Sequence, residues 1–363
     1  MADRRPQRIA ALIEALLPLK LDGLLLTNAP NIRYLTGFTG SSALAFLSAR
    51  GDLLFITDFR YKTQASAEVG DIADVEIEQQ NLWARLWQRL PFLAGVEIAG
   101  FESHHLVHRD FERLLDAGKR WQWRPTLDLV EHLRERKDPD EVARISEAAG
   151  IATRALARTL PQIHAGMTEL QVAAALEGSL REEGSEEYPF PSIVASGERS
   201  ALPHAGTSAR TIQSGDLLLL DFGASAAGYC ADITRTVVIG RADDEQRDIY
   251  GVVREANEST AARVKAGMRG KDADALAREY IERRGYGEAF GHSLGHGIGL
   301  EVHEAPRLSR TAEGVLAAGA VVTIEPGIYR PGWGGVRIED DVHLGADGSD
   351  LLTHFTRELL EVG

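Results

Sequence analysis

Leu217-Leu218-Leu219-Leu220-Asp221-Phe222-Gly223 reads as a buried strand that runs into a carboxylate. Just beyond it, Asp232 precedes a second apolar run, Ile233 to Ile239. A carboxylate at the end of a buried strand is costly unless it is paired or bound to a cation. Glu325 follows Val321-Val322-Thr323-Ile324 in the same way, and Glu339 lies in Val336-Arg337-Ile338-Glu339-Asp340-Asp341, where acids alternate with apolar residues. Any one of these acids alone could be a surface turn or cap. Four in mirrored positions point to one shared centre.

The mirroring comes from a faint repeat. Ala165-Gly166-Met167 recurs as Ala266-Gly267-Met268, 101 positions later, and each copy leads into a helix-like stretch that ends in glycine, Gly184 and Gly285, again 101 apart. Each half then offers two helices followed by strands that carry two acids. A pseudo-twofold axis between the halves would bring Asp221, Asp232, Glu325 and Glu339 together. Upstream, Asp138-Pro139-Asp140-Glu141 reads as a helix start, its acids at the positive end of the dipole. It follows a charge-rich stretch from Glu131 to Lys137.

The first 125 residues or so differ in pattern. Gly23–Leu26, Ala43–Leu47 and Leu53–Ile56 are expected strands, and residues 7–17, 60–68 and 103–115 expected helices. The first of these helices opens with Arg4, Arg5 and Arg8, but Ile9, Leu12, Ile13, Leu16 and Leu17 recur at helical spacing around Glu14. An amphipathic helix fits that better than a signal peptide. There is no glycine-rich phosphate loop. A boundary near Pro125 gives an α/β N-terminal domain at 1–128 and an α+β domain with an internal repeat at 129–363.

Composition narrows the function classes. The 363 residues are 44% hydrophobic and 26% charged, ordinary for a globular chain. With 40 Lys and Arg against 54 Asp and Glu, the net charge of -14 disfavours nucleic acid, which needs a cationic stripe. No run of eighteen apolar residues predicts a membrane span. The single cysteine, Cys230, cannot form an internal disulfide, which fits a reducing, cytoplasmic setting.

Histidines complete the chemistry. Gly291-His292-Ser293-Leu294-Gly295-His296-Gly297-Ile298-Gly299-Leu300-Glu301-Val302-His303 places three among glycines that allow close backbone approach. Carboxylates with an imidazole suit a fairly hard divalent ion such as Mn²⁺ or Co²⁺ better than a thiolate-type structural zinc. Four carboxylates could neutralise two such ions, as in a two-metal hydrolase. The one-zinc protease pattern is absent, because His303-Glu304 is followed by Arg307 where a second histidine is required.

The segments Leu219 to Gly223, Asp232-Ile233-Thr234-Arg235-Thr236, Gly295 to Glu304, Thr323-Ile324-Glu325-Pro326-Gly327-Ile328-Tyr329 and Gly335 to Asp340 resemble the signatures of the pita-bread metallopeptidases. Within that family they are similar to the Xaa-Pro branch, prolidase and aminopeptidase P. Asn31 to Gly40 and Phe55 to Tyr61 resemble the smaller, creatinase-like domain of the branch.

The resemblance implies that Asp221, Asp232, His296, Glu325 and Glu339 bind two divalent ions, with Asp232 and Glu339 bridging them. Mn²⁺ is the expected metal, Co²⁺ or Zn²⁺ the alternatives. It further implies that Glu325 handles protons, that His303 hydrogen-bonds the developing oxyanion, and that His204 contacts substrate near the metals. Arg337 and Tyr329 would orient ligands from behind, and His292 would face substrate or pack in the core.

Expected partners are short proline-containing peptides and a second copy of the chain in a homodimer. Chain length and Arg307, which matches an arginine placed near the substrate carboxylate, favour prolidase. Phe55 to Tyr61 with Gln64-Ala65 looks more like aminopeptidase P. Arg33 and Arg60 are further carboxylate candidates, unless they pair locally on the surface. Methionine aminopeptidase is disfavoured by the N-terminal domain, and creatinase by the full ligand set. A non-catalytic, peptide-binding descendant would be expected to have lost ligands that are all present here.

Overall fold

The computed structural model describes residues 3–346 and 348–363. Two compact units divide it, the first ending at Arg134 and the second beginning at Glu135.

A mixed six-stranded sheet forms the first unit, in the order Asp74–Glu78, Leu53–Asp58, Ala43–Ser48, Gly23–Leu26, Ile98–Glu102, Gln122–Thr126. The apolar runs that predicted strands occupy its centre, where Leu25, Phe46 and Ile56 are fully buried with Leu86, Ala99 and Leu114. The helix expected over 7–17 spans Arg5–Leu16 and buries Ile9, Leu12 and Leu16. The helix expected over 60–68 opens as a short 3-10 turn, Phe59–Tyr61, before Lys62–Glu68. The one expected over 103–115 begins only at His108. Residues 103–107 instead turn back, with the amides of His105 and Leu106 donating to the Glu102 carbonyl.

Pro125 is not a linker. It sits in the edge strand Gln122–Thr126, where a residue without an N–H is tolerated. The next helix, Leu129–Arg134, belongs to the first unit rather than to a second domain starting at 129. Two side-chain bonds hold it there: Asn31 donates to Glu131 at 2.6 Å, and Arg134 donates to the Asn31 carbonyl oxygen at 2.7 Å.

In the second unit, the Asp138 and Glu141 side chains form a reciprocal cap on the helix Pro139–Thr159. This helix packs with Glu169–Glu182 over the hairpin Leu217–Ala226 and Tyr229–Ile239. Asp244–Ala261 and Gly270–Arg283 form the corresponding helix pair of the second half. There the sheet runs in the order Glu304–Leu308, Gly295–Gly297, Val321–Ile324, Asp340–Leu344, Ser349–Leu351, beside a hairpin of Gly327–Arg330 and Gly334–Arg337.

The internal repeat is carried by matched hydrogen bonds. Gly166 donates to the Ile212 carbonyl and Gly267 to that of Leu316, both at 2.9 Å, and the return bonds, Ile212 to Met167 and Leu316 to Met268, are both 2.8 Å. Gly166 (φ 95°) and Gly267 (φ 86°) occupy the left-handed region, as do Gly184 (106°) and Gly285 (87°). That is why glycine recurs at those positions. Two cores result, one mainly of the first half around Leu156, Leu176 and Phe222, the other mainly of the second around Val253, Ile281 and Ile324, with Ile298 and Val321 reaching into the first and Leu217 and Val238 into the second.

Candidate metal centre

The strands Leu217–Ala226 and Tyr229–Ile239 are buried along their whole length. Their antiparallel register sets Asp221 opposite Thr234 and Gly223 opposite Asp232. Side chains alternate along a strand, so Asp221 and Asp232 share one face as diagonal neighbours. The other half meets this face through Glu339, whose amide donates to the Thr234 carbonyl, while the Thr234 hydroxyl donates to Glu339 Oε2 at 2.6 Å. Glu325 leaves the end of Val321–Ile324 with its amide bound to the Leu294 carbonyl.

His296 arrives on the three-residue strand Gly295–Gly297, squeezed between two others. A Cβ on Gly295 would lie 2.0 Å from the Thr323 carbonyl oxygen, and one on Gly297 2.1 Å from that of Ala305. Only glycine fits on either side of this histidine. The Nδ1 of His296 meets the Gly297 carbonyl at 3.1 Å, leaving Nε2 to face the acids, 3.6 Å from Glu325 Oε1 and 4.0 Å from Asp232 Oδ2.

Among the described residues, Asp232, His296 and Glu339 each present a ligand atom within 4.8 Å of the others. Asp221 and Glu325 line the same cavity of about 720 Å³, as do His204, His292, His303 and Arg337. Tyr329 lies behind it: its hydroxyl accepts from Arg337 Nη1 at 2.8 Å and meets His292 Nε2 at 2.9 Å. Arg337, buried, also donates to Asp221 Oδ2 at 2.5 Å and to the Thr234 hydroxyl. Arg307 lines not this cavity but an adjoining groove of about 1450 Å³, which shares His292 with it. In the first unit Arg60 pairs with Asp58 at 2.7 Å.

The electrostatics identify what the cavity is built for. Burial, then the Glu339 charge, holds the Asp232 carboxyl well above its usual range. The same two causes raise Glu325, while burial and then Asp221 push Glu339 up to about 8. Burial lowers His296 to about 4, so its imidazole is neutral and free to ligate. Asp221 Oδ1 and Asp232 Oδ1 are buried without any hydrogen-bond partner. Arg337 compensates one acid of the group. Acceptor-only oxygens, mutually repelling and turned to a neutral imidazole, fit bound divalent cations.

Two residues at the site escaped sequence reasoning. Asp341 Oδ2 accepts from the Asp232 amide at 3.0 Å, fixing the strand from behind, and burial holds its carboxyl well above the usual range. Arg235, buried, donates to the Glu339 carbonyl at 2.7 Å and to Asp340 Oδ1 at 2.7 Å. The unbroken run Glu339-Asp340-Asp341 was the available signal, since three acids in a strand-like stretch cannot all face solvent.

Known proteins resemble the chain over nearly its whole length. A model of metallopeptidase family M24 matches residues 143–346, and one of the creatinase/prolidase N-terminal domain matches residues 8–136. A Xaa-Pro dipeptidase of Pyrococcus horikoshii is 36% identical over 98% of this chain and 99% of its own. Among solved structures, a Xaa-Pro dipeptidase from Bacillus anthracis has a TM-score of 0.95 at 41% identity, covering 99% of this chain and all of that one. An X-Pro aminopeptidase from Thermotoga maritima has a TM-score of 0.89 at 40% identity, over 98% of this chain and 99% of the other.

Proposed function

Since the chain belongs to metallopeptidase family M24, we propose that it hydrolyses the bond between an N-terminal residue and proline, with Xaa-Pro dipeptides as its leading substrates. One observation carries this reading: a buried set of unpaired carboxylate oxygens and a neutral imidazole opens on a cavity with an apolar wall of Leu170, Phe190, Pro191 and Ile193. Such a wall suits a prolyl ring or an aliphatic side chain, and a tertiary amide brings no N–H that would need a partner.

Asp221, Asp232, His296, Glu325 and Glu339 would hold two divalent cations, Mn²⁺ foremost. Bound there, such ions make water nucleophilic near neutral pH and polarise a carbonyl. The chain's own groups do the rest. Glu325 takes a proton from the attacking water and delivers it to the prolyl nitrogen as the C–N bond breaks. His303 and His204, on the cavity wall, donate hydrogen bonds to the carbonyl oxygen as charge develops on it. Arg337 holds Asp221 in place and, through the Tyr329 hydroxyl, His292. Arg307, from the groove, would meet the substrate carboxylate.

A second reading, aminopeptidase P acting on longer peptides, is favoured by the size of that groove and by the name of the Thermotoga relative. Hydrolysis of Ala-Pro against Ala-Pro-Ala with added Mn²⁺ separates the two. Preference for the dipeptide supports the first, preference for the tripeptide the second, and no turnover of either sinks both. The reading also includes a cytoplasmic homodimer, for which size-exclusion chromatography is the direct measurement of the dimer. Among the described residues no helix is long and apolar enough to cross a membrane.

A further inference from the structure

His303 is exposed on the cavity wall, its ring centroid 4.3 Å from that of His296 with the planes tilted by 60°. Among the described residues neither of its ring nitrogens has a hydrogen-bond partner, so its placement is inherited from the backbone of the loop between Gly295–Gly297 and Glu304–Leu308. That loop is tied at several points. The Cys230 amide donates to the Gly299 carbonyl at 2.7 Å, and the Gly299 amide to the Glu301 carbonyl at 3.1 Å. Glu304, next to His303, turns its carboxylate back beneath the loop and accepts from the Glu301 amide at 2.9 Å. A Cβ on Gly299 would lie 2.8–2.9 Å from both Glu304 oxygens, so the carboxylate fills the space under the turn.

Lys137 places its Nζ 3.3 Å from Glu304 Oε2. The pair is buried, with side chains 1% and 6% exposed. Lys137 is itself anchored, because its amide donates to the Gly319 carbonyl at 2.9 Å just before the strand Val321–Ile324. A buried carboxylate that loses a cation at this distance is driven to shift, take a proton or drag its loop. Any of these moves the residue beside it.

We propose that Lys137 is a positioning residue for His303: through Glu304 it sets the loop that aims this imidazole at the reacting carbonyl. The proposal rests on the role given to His303 above. Lys137 touches neither the carboxylate cluster nor the cavity, so its removal should leave metal binding alone while misplacing one hydrogen-bond donor.

A double-mutant cycle with Mn²⁺-loaded protein tests it. Lys137→Met should lower kcat by roughly 10–100-fold, the scale expected for a shift of about 1 Å in a reacting group. KM and bound Mn²⁺, measured by elemental analysis, should stay within about twofold on the same argument. In a His303→Ala background the same substitution should change kcat by less than about twofold, because residues acting as a unit are not additive. Glu304→Gln, which keeps the shape but not the charge, goes through the same cycle and stands in if Lys137→Met does not fold. Equal losses in both backgrounds would mean that Lys137 supports the fold at large, and the proposal fails. Full activity of His303→Ala itself would instead remove the role of His303, and with it this proposal, while the peptidase reading would stand.

Discussion

Replacing Asp232 by asparagine tests the carboxylate centre most directly, because it should stabilise the metal-free protein while removing its response to metal. Ligand oxygens of Asp232 and Glu339 lie within 4.8 Å of each other. Two unit charges at that distance repel by about 3–4 kcal/mol at an effective dielectric of 20. Asp232 Oδ1 has no hydrogen bond to lose, and asparagine keeps the shape. The gain grows with pH as both raised carboxyls ionise, with the full repulsion as its ceiling; at lower pH the native protein already relieves the repulsion by holding protons. A gain of about 3 kcal/mol corresponds to a rise in Tm on the order of 6–12 °C for a unit of this size. Thermal unfolding followed at pH 8.5 in chelator should therefore place the variant above the wild type. Adding Mn²⁺ at about 100 times its Kd should raise the wild type by about 2.7 kcal/mol and barely move the variant, closing or reversing the gap. A metal-free variant that melts below the wild type, or an equal response of both to Mn²⁺, would refute the reasoning.

The remaining predictions follow from the same geometry. His303→Ala should reduce kcat by roughly 10²–10³-fold with bound metal unchanged, the loss typical of one oxyanion donor; loss of metal, read by elemental analysis, would mean that it ligates. Arg307→Ala should raise KM for Xaa-Pro dipeptides much more than for tripeptides; an equal rise for both would remove it as a selector of substrate length. Metal-free stability should decline as pH rises. The raised Glu339 carboxyl favours the protonated native state, so its contribution is present below about 4.5 and is lost through about 8. Binding requires the carboxylates deprotonated, so Mn²⁺ affinity by calorimetry should rise over the same window with release of protons.

The sequence discloses this site unevenly, and the reason is physical. Asp221, Asp232, Glu325 and Glu339 stand out because each interrupts an apolar run, where an unpaired charge is expensive. Helix caps such as Asp138 with Glu141 are legible because they are local. Charges whose partners lie far along the chain are not. The stretch Glu131 to Lys137 looks like a solvated surface run, yet Arg134 binds Asn31 and Lys137 binds Glu304, pairings only the folded chain creates. The edge strands Asp74–Glu78 and Gln122–Thr126 were invisible for a related reason. Half-exposed and polar, they lack the apolar run by which the central strands announce themselves.

The division of the second unit into two cores has a mechanical consequence. Asp221 and Asp232 belong to one half, while His296, Glu325 and Glu339 belong to the other, so ions held by all five would act as rivets across a seam. Neither core depends on them for its own packing. Stripping the ions should therefore leave amide exchange slow inside both cores and quicken it along the join, at Thr234, Glu339 and Glu325, whose amides or carbonyls bond across or beside it. A catalytic centre placed there would double as the fastener that sets how rigidly one half-fold is clasped to its twin.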